Sequence, residues 1–323
     1  MPKVGWILLG NSSIGSSRIH GINIHRYINK NGIKSVILQT NSVMTTHLTL
    51  SLWKQLLIFL SRFDVLIFQK VFDSRAIRLA TLAKKLGVKT VFLQSDMIET
   101  KMVNKVDALV VTSDYLKRHY NSKYGVDAIL IEDAVEVSDE LVKEDYGDKG
   151  KIRLIWVGHK DNWETIEVIY NALEILKDDY FCLKRISNHP QADVQWKLET
   201  VFQEILQGDI GIIPCFNNEW AKSKSNNRLT MFMALGLPVI ASDIPSYRDI
   251  IKPCSNGFLA KSIDDWTKYL QVLRDEHTRK KIGMKARKDV WEKYNIDVIG
   301  DKWISLVENL CSKKKRDKQL FIA

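Results

Sequence analysis

What this sequence lacks narrows its function before anything present is read. None of its four cysteines, Cys182, Cys215, Cys254 and Cys311, stands in a Cys-x-x-Cys pair. That scatter argues against a disulfide framework and a structural zinc site, and it suits a reducing cytoplasm. No uninterrupted apolar run is long enough to span a bilayer. The opening residues MPKVGWILLG run straight into an expected strand without a small-residue cleavage site, so no signal peptide is expected. No short repeat period or low-complexity tract appears. Basic residues interleaved with aromatics in a recognition motif are also missing, so no nucleic-acid partner is expected.

What is there is 323 residues, enough for two domains that each bury a core. The net charge of +10 is spread unevenly. Residues 1–130 carry 18 Lys and Arg against 7 Asp and Glu, whereas residues 131–149 carry 8 acids against 2 lysines. The tail SKKKRDKQLFIA is basic again. A basic front half suits an anionic substrate, a membrane surface or nucleic acid, and composition alone does not choose among them.

Short apolar runs alternate with helical patterns. VGWILLG, SVILQT, VLIFQ, TVFLQ, ALVVTS and AILIED read as strands, separated by patterns such as RAIRLATLAKKLG with apolar residues at helical spacing. Strands that are apolar almost throughout, with helices between them, indicate a parallel sheet covered on both faces. After the acidic segment the pattern restarts with RLIWVG, FCLKRIS, a helix expected over 194–207, DIGIIP, PVIAS and GFLA. The expectation is an α/β chain of two doubly wound, Rossmann-like domains, 1–148 and 149–300, facing each other across a cleft. A helix over 301–311 and a basic tail over 312–323 follow. Ligands of such sheets bind beyond the carboxyl ends of the strands.

Three turns carry candidate chemistry. LGNSSIGSSRIH (9–20) joins a strand to an amphipathic helix, and its small residues permit close approach of an anion to free amides around Gly15. Arg18 and His20 follow it, but the spacing is not the dinucleotide G-x-G-x-x-G. GHKDNW (158–163) repeats that logic with Gly158 and Lys160. The strongest is KSKSNNRLTMFMALGLPVIAS (222–242), preceded by DIGIIP ending in Pro214. Asn226 or Asn227 opens a helix there as a favoured N-cap. Lys224 and Arg228, four apart, place positive charge where the helix dipole disfavours it, which a bound diphosphate would reverse.

This third segment resembles the donor half of GT-B glycosyltransferases in the large retaining family that uses nucleotide-sugars (glycosyl transferases group 1, family 4-like), and within it a bacterial surface-polysaccharide type. The residues that carry the resemblance are DIGIIP (209–214), Trp220, Lys224, Arg228-Leu229 and GLPVIAS (236–242), with SNGFL (255–259) and Asp265-Trp266 downstream. Ser16-Ser17-Arg18, DVLIFQ (64–69), Ser95-Asp96 and DALVVTS (107–113) extend it loosely over 1–311. Many relatives carry two glutamates around the donor loop, separated by seven residues. Those positions here are Ser223 and Met231, and the second glutamate usually holds the donor ribose.

The resemblance implies transfer of a sugar from a nucleotide-sugar to a hydroxyl of a glycan or lipid-linked glycan, with retention of configuration. Lys224 and Arg228, with amides at the helix start and around Gly15 and Gly158, would stabilise the departing diphosphate, while Lys160, Pro214, Asn226 and Asn227 would complete the donor site. Arg18 and His20 would contact the acceptor, and Asp96 would orient its hydroxyl or take its proton. No D-x-D or His/Glu metal cluster is visible, in keeping with GT-B chemistry, and no cofactor is expected beyond the nucleotide-sugar, a co-substrate. A non-catalytic GT-B-like subunit is the alternative that the missing glutamates motivate. His189-Pro190 is similar to the His-Pro pair of CMP-sugar transferases, but a dipeptide is a weak signal. LTLSLWKQLLIFLSRF (48–63) reads either as a sheet-covering helix, which its many apolar positions favour, or as a peripheral contact with an anionic membrane at the inner face of the cell membrane.

Overall fold

The computed structural model describes residues 1–147, 150–177 and 179–320, with side chains to residue 312 at the C-terminal end. The chain divides into two compact units, Met1–Ala134 with Ile296–Ala323, and Val135–Asn295. The break thus falls at Ala134/Val135 rather than at 148, which lies outside the described residues.

The first unit holds a six-stranded, fully parallel sheet of β1 (Lys3–Leu8), β2 (Lys34–Gln39), β3 (Val65–Gln69), β4 (Lys89–Gln94), β5 (Ala108–Val111) and β6 (Ile129–Leu130). Its order is β2-β1-β3-β4-β5-β6. The central strands β3, β4 and β5 are buried almost throughout, the pattern expected of a sheet covered on both faces. AILIED is a strand only at Ile129–Leu130; beyond it Glu132 pairs with Lys302 at 2.6 Å and Asp133 with His20 at 2.7 Å. The C-terminal helix begins at Ile296, ahead of the expected 301, and belongs to this unit. Trp303 meets Trp6 at 5.5 Å between ring centroids, and Tyr27 donates to Asp301 at 2.9 Å.

One expectation fails here for a clear reason. Of the apolar pattern over 48–63, only Leu52–Leu60 is helical, and only Ile58 of that helix is buried. Ile58 and half-buried Phe59 pack on the core of this unit, while its other apolar residues, Leu52, Trp53, Leu56, Leu57 and Leu60, face outward.

The second unit repeats the plan with β7 (Ile152–Val157), β8 (Phe181–Ser187), β9 (Val194–Gln195), β10 (Ile210–Ile213), β11 (Val239–Ser242) and β12 (Phe258–Ala260), ordered β12-β11-β10-β7-β8-β9 and again parallel. The helix expected over 194–207 is instead β9 followed by a short helix, Val201–Leu206. Burial alternates from Val194 to Leu198 with the period of two that marks a strand. Helix Asn227–Ala234 ends at Gly236, whose φ of 85° suits the left-handed turn out of a helix. Buried Asp209 anchors the segment ahead of β7: it takes Lys143 at 3.1 Å and the backbone amide of Arg153 at 2.8 Å.

Candidate functional site

In a doubly wound sheet the ligand crevice opens where strand order reverses, at the carboxyl ends of the two strands flanking the reversal. In the second unit those strands are β7 and β10. Gly158 follows the first, and Pro214 and Cys215 follow the second. Arg228, on the first turn of helix Asn227–Ala234, reaches back to both: Nη1 to the Val157 carbonyl at 3.5 Å and Nη2 to Cys215 Sγ at 3.9 Å. The Tyr247 hydroxyl lies 3.9 Å from the same sulfur. Cys215 is held in turn by its amide, which donates to Ser242 Oγ at 2.9 Å from the end of β11.

The electrostatics keep this guanidinium charged. Desolvation pulls its pKa down, but the Tyr247 hydroxyl and the Cys215 sulfur outweigh that and the net shift is upward. Tyr247 shifts far upward itself, mainly through burial, and stays a neutral phenol. The contacts that Arg228 makes with Val157 and Cys215 are long for a group with five strong donors.

The helix start beside it is unusual. Asn226 occupies the N-cap, but its side chain caps nothing, contrary to the role expected of it. Its φ and ψ of −82° and 1° are not the extended values that aim a cap side chain at the first amides. The Asn226 amide oxygen is buried with no hydrogen-bond partner among the described residues. Asn227 is the first helical residue, and no acidic side chain sits in the first turn. An uncapped helix start, a fixed cation and an unsatisfied buried acceptor therefore share one turn, and the first two suit an anion.

Lys224 lies in the loop before this helix, its ammonium 3.2 Å from the centroid of the Trp220 ring. Lys222 pairs with Glu219 at 2.5 Å on the surface, apart from these groups. Ser223 is fully buried, with its hydroxyl donating to the Trp220 carbonyl at 2.7 Å, so one of the two usual glutamate positions serves the loop's own backbone. Met231 is half-buried on the helix.

At the other strand ends the picture is mixed. A Cβ added to Gly158 would lie 2.3 Å from the Trp156 ring, so this glycine is required by packing. The Lys160 amide donates to Asn188 Oδ1 at 2.8 Å while its side chain is exposed. Pro214 is buried at the end of β10. His189 stacks on Trp163, with centroids 4.0 Å apart and planes within 10°, and the Arg185 guanidinium lies 4.9 Å from the Trp163 ring.

Gly15, Arg18, His20 and Asp96 lie in the first unit, whereas Lys224 and Arg228 lie in the second. A Cβ on Gly15 would meet nothing closer than 3.9 Å. Arg18 and His20, expected to reach an acceptor, are both buried. The reason is a π-helical stretch, Arg18–Asn23, that turns them inward. Arg18 donates to the Ser12 carbonyl at 2.8 Å, and His20 Nε2 pairs with Asp133. Asp96, just past β4, is half-buried and takes the Lys70 ammonium at 2.5 Å. Lys70 itself follows β3 with a positive φ of 55°, a strained value for a residue with a side chain.

Cys215, Tyr247, Ser242 and Lys70 were not among the candidates, because each acts through neighbours far away in sequence. Ser242 alone had a signal, as the last residue of the GLPVIAS run.

Against known proteins, residues 232–289 match the family model for glycosyl transferases group 1. That stretch begins within helix Asn227–Ala234 and runs through β11 and β12. A glycosyltransferase from Rickettsia africae ESF-5 is similar in structure, with a TM-score of 0.70 at 15% identity over 96% of this chain and 98% of that one. HepE from Anabaena, in complex with UDP and glucose, gives 0.69 at 11% identity over 95% and 100%. Sucrose-phosphate synthase from Thermosynechococcus elongatus gives 0.67 at 13% over 96% and 100%. The comparison with curated proteins returned no match. The fold is the two-domain Rossmann-like α/β fold of GT-B glycosyltransferases.

Proposed function

We propose that this protein moves a sugar from a nucleotide-sugar to a hydroxyl of a glycan or lipid-linked glycan in surface-polysaccharide synthesis, with retention of configuration and no bound metal. The observation that carries the reading is Arg228, a charged guanidinium set between the ends of β7 and β10 on an uncapped helix start. The group 1 match over 232–289 and the UDP-bound Anabaena neighbour support the donor class.

The costly event in such a transfer is departure of the nucleoside diphosphate, as the bond from the anomeric carbon breaks and charge gathers on phosphate oxygen. A cation and backbone amides already in place stabilise that charge without reorganising. Arg228 supplies the fixed cation and the amides at Asn227 and Arg228 the dipole end, with Lys224, set by Trp220, as a second cation. The Asn226 oxygen accepts from a donor hydroxyl, a contact relatives take from the glutamate that Met231 replaces. Asp96 orients the acceptor hydroxyl.

A thermal-shift panel of UDP-, GDP-, dTDP-, ADP- and CMP-sugars, followed by donor turnover, tests this reading. At least one donor should stabilise the protein, and Arg228→Ala and Lys224→Ala should lose turnover while keeping the fold. If no donor shifts the melting temperature, the reading fails. A non-catalytic binding subunit is the second reading, favoured by Ser223 and Met231 at the glutamate positions; stabilisation by a donor without any turnover would select it.

A further inference from the structure

Helix Leu52–Leu60 in the first unit is amphipathic the wrong way round for a soluble core. Leu52, Trp53, Leu56, Leu57 and Leu60 are between 40% and 82% exposed. At 3.6 residues per turn these five fall on one arc of about 140°. Ile58 is buried on the other side, and Gln55 is fastened there by a bond from its amide to the Leu50 carbonyl at 3.0 Å. Val43 and Met44, in the loop leading toward the helix, are exposed as well. Scattered surface leucines need no explanation, but a contiguous ridge of four leucines and a tryptophan does.

The charge around the ridge is mostly positive. Residues 1–63 contain seven Lys and Arg and not one Asp or Glu. Lys54 lies on the helix and Arg62 just beyond it. Arg75 donates to the Leu50 carbonyl at 3.2 Å, before the helix start. Lys3 donates to the Ser61 carbonyl at 2.8 Å and lies 4.3 Å from the centroid of the Phe63 ring, at the helix end. The nearby acids are engaged with backbone: Asp64 takes the Lys3 amide, and Asp73 takes the Leu48 and Ala76 amides.

We infer that this helix is a peripheral membrane anchor, lying in the plane of an anionic bilayer with its leucines and Trp53 among the acyl chains. Lys3, Lys54, Arg62 and Arg75 meet the headgroup phosphates. A convex ridge fits a fluid surface, which closes around it, whereas a protein partner would have to supply a matching groove. The bracketing cations select an anionic surface. No helix among the described residues is long and apolar enough to cross a membrane, so the association is with one face. The inference is independent of the donor-site reading, because its readout is partition and not turnover.

The test is flotation of the full chain with phosphatidylcholine vesicles, with and without phosphatidylglycerol. The protein should float with the anionic vesicles, and added salt should weaken the binding. The triple variant Trp53→Ser, Leu56→Ser, Leu60→Ser should lose at least about tenfold in partition with an unchanged melting temperature. Lys54→Glu should lose about tenfold on anionic vesicles only. Wild-type protein that stays unbound with both vesicle types overturns the anchor. So does a wild-type homodimer, detected by sedimentation, that the triple variant splits into monomers.

Discussion

The two units are built to one plan and end their switch points differently. Counted from its own first strand, the second sheet has the order 3-2-1-4-5-6, whereas the first has 2-1-3-4-5-6. The reversal in the first unit falls between β1 and β3. There Gln69 accepts from the Leu9 amide at 3.0 Å and the Ser17 hydroxyl at 3.2 Å, and Ser17 accepts from the Gly10 amide at 3.0 Å. The Gln69 and Ser17 oxygens thus take up the backbone amides beside that reversal, while Gln69 Nε2 is buried with no hydrogen-bond partner among the described residues. At the β7/β10 reversal a single guanidinium spans the gap through long contacts, beside a helix start that no side chain caps. The same topology thus carries side chains bonded to backbone amides at one reversal and a guanidinium beside an uncapped helix start at the other. The side chains, not the strand order, make the difference.

The largest test of that contrast sets Arg228 against Gln69. Arg228→Ala should lower donor turnover by about 10²–10³-fold, read by donor hydrolysis, with little change in melting temperature. Gln69→Ala should do the reverse, costing about 1–3 kcal/mol in denaturant unfolding while turnover per folded molecule persists. Equal loss of activity from both would break the comparison.

Gly158 and Gly15 sharpen it next. Gly158→Ala drives a Cβ into the buried Trp156 ring and should cost about 1–3 kcal/mol. Gly15→Ala makes only an ordinary contact with Arg18 at 3.9 Å and should stay within about 0.5 kcal/mol, both measured by chemical denaturation.

A smaller effect is expected at Trp220, whose face holds Lys224. Trp220→Leu should raise the donor KM a few-fold and leave kcat closer to wild type, since about 0.5–1 kcal/mol of cation–π contact is removed at an exposed ring.

The smallest concerns pH and the first unit alone. Burial, and then the neighbouring Arg26, lower the His25 pKa below its ordinary 6.5; His119 is lowered by burial and then Lys123. The unfolded chain therefore binds more protons just below that value, and stability falls as pH drops through 6.5 toward the folded pKa. Thermal melts across that range should flatten in His25→Gln, with the slope from His119 remaining.

Much of the fold was legible because buried parallel strands announce themselves. VLIFQ and FCLKRIS coincide with β3 and β8 residue for residue. The reading slipped where period and burial part company. Val194–Leu198 alternates like a strand inside what looks like a helical window. The apolar run around Trp53 has the composition of a covering helix and yet faces outward. Of the site, Arg228 and the loop holding Lys224 could be named from cations crowded at a helix start. Lys70 beside Asp96, and Cys215 and Tyr247 beside Arg228, could not, since those pairs meet only when separate strand ends converge.

By itself, then, the sequence determined two doubly wound layers, their parallel strands and the segment that crowds cations at a helix start. All three follow from local pattern: apolar runs of strand length, helical spacing, and charge set against a helix dipole. The tertiary structure alone decided which candidates stand open and which are spent. Arg18 and His20 turned inward because a π-helical stretch rotates them into the unit, and Asn226 stayed unsatisfied because its backbone left the capping geometry. Orientation depends on backbone angles and on neighbours distant in the chain, and neither is written in the spacing of residues.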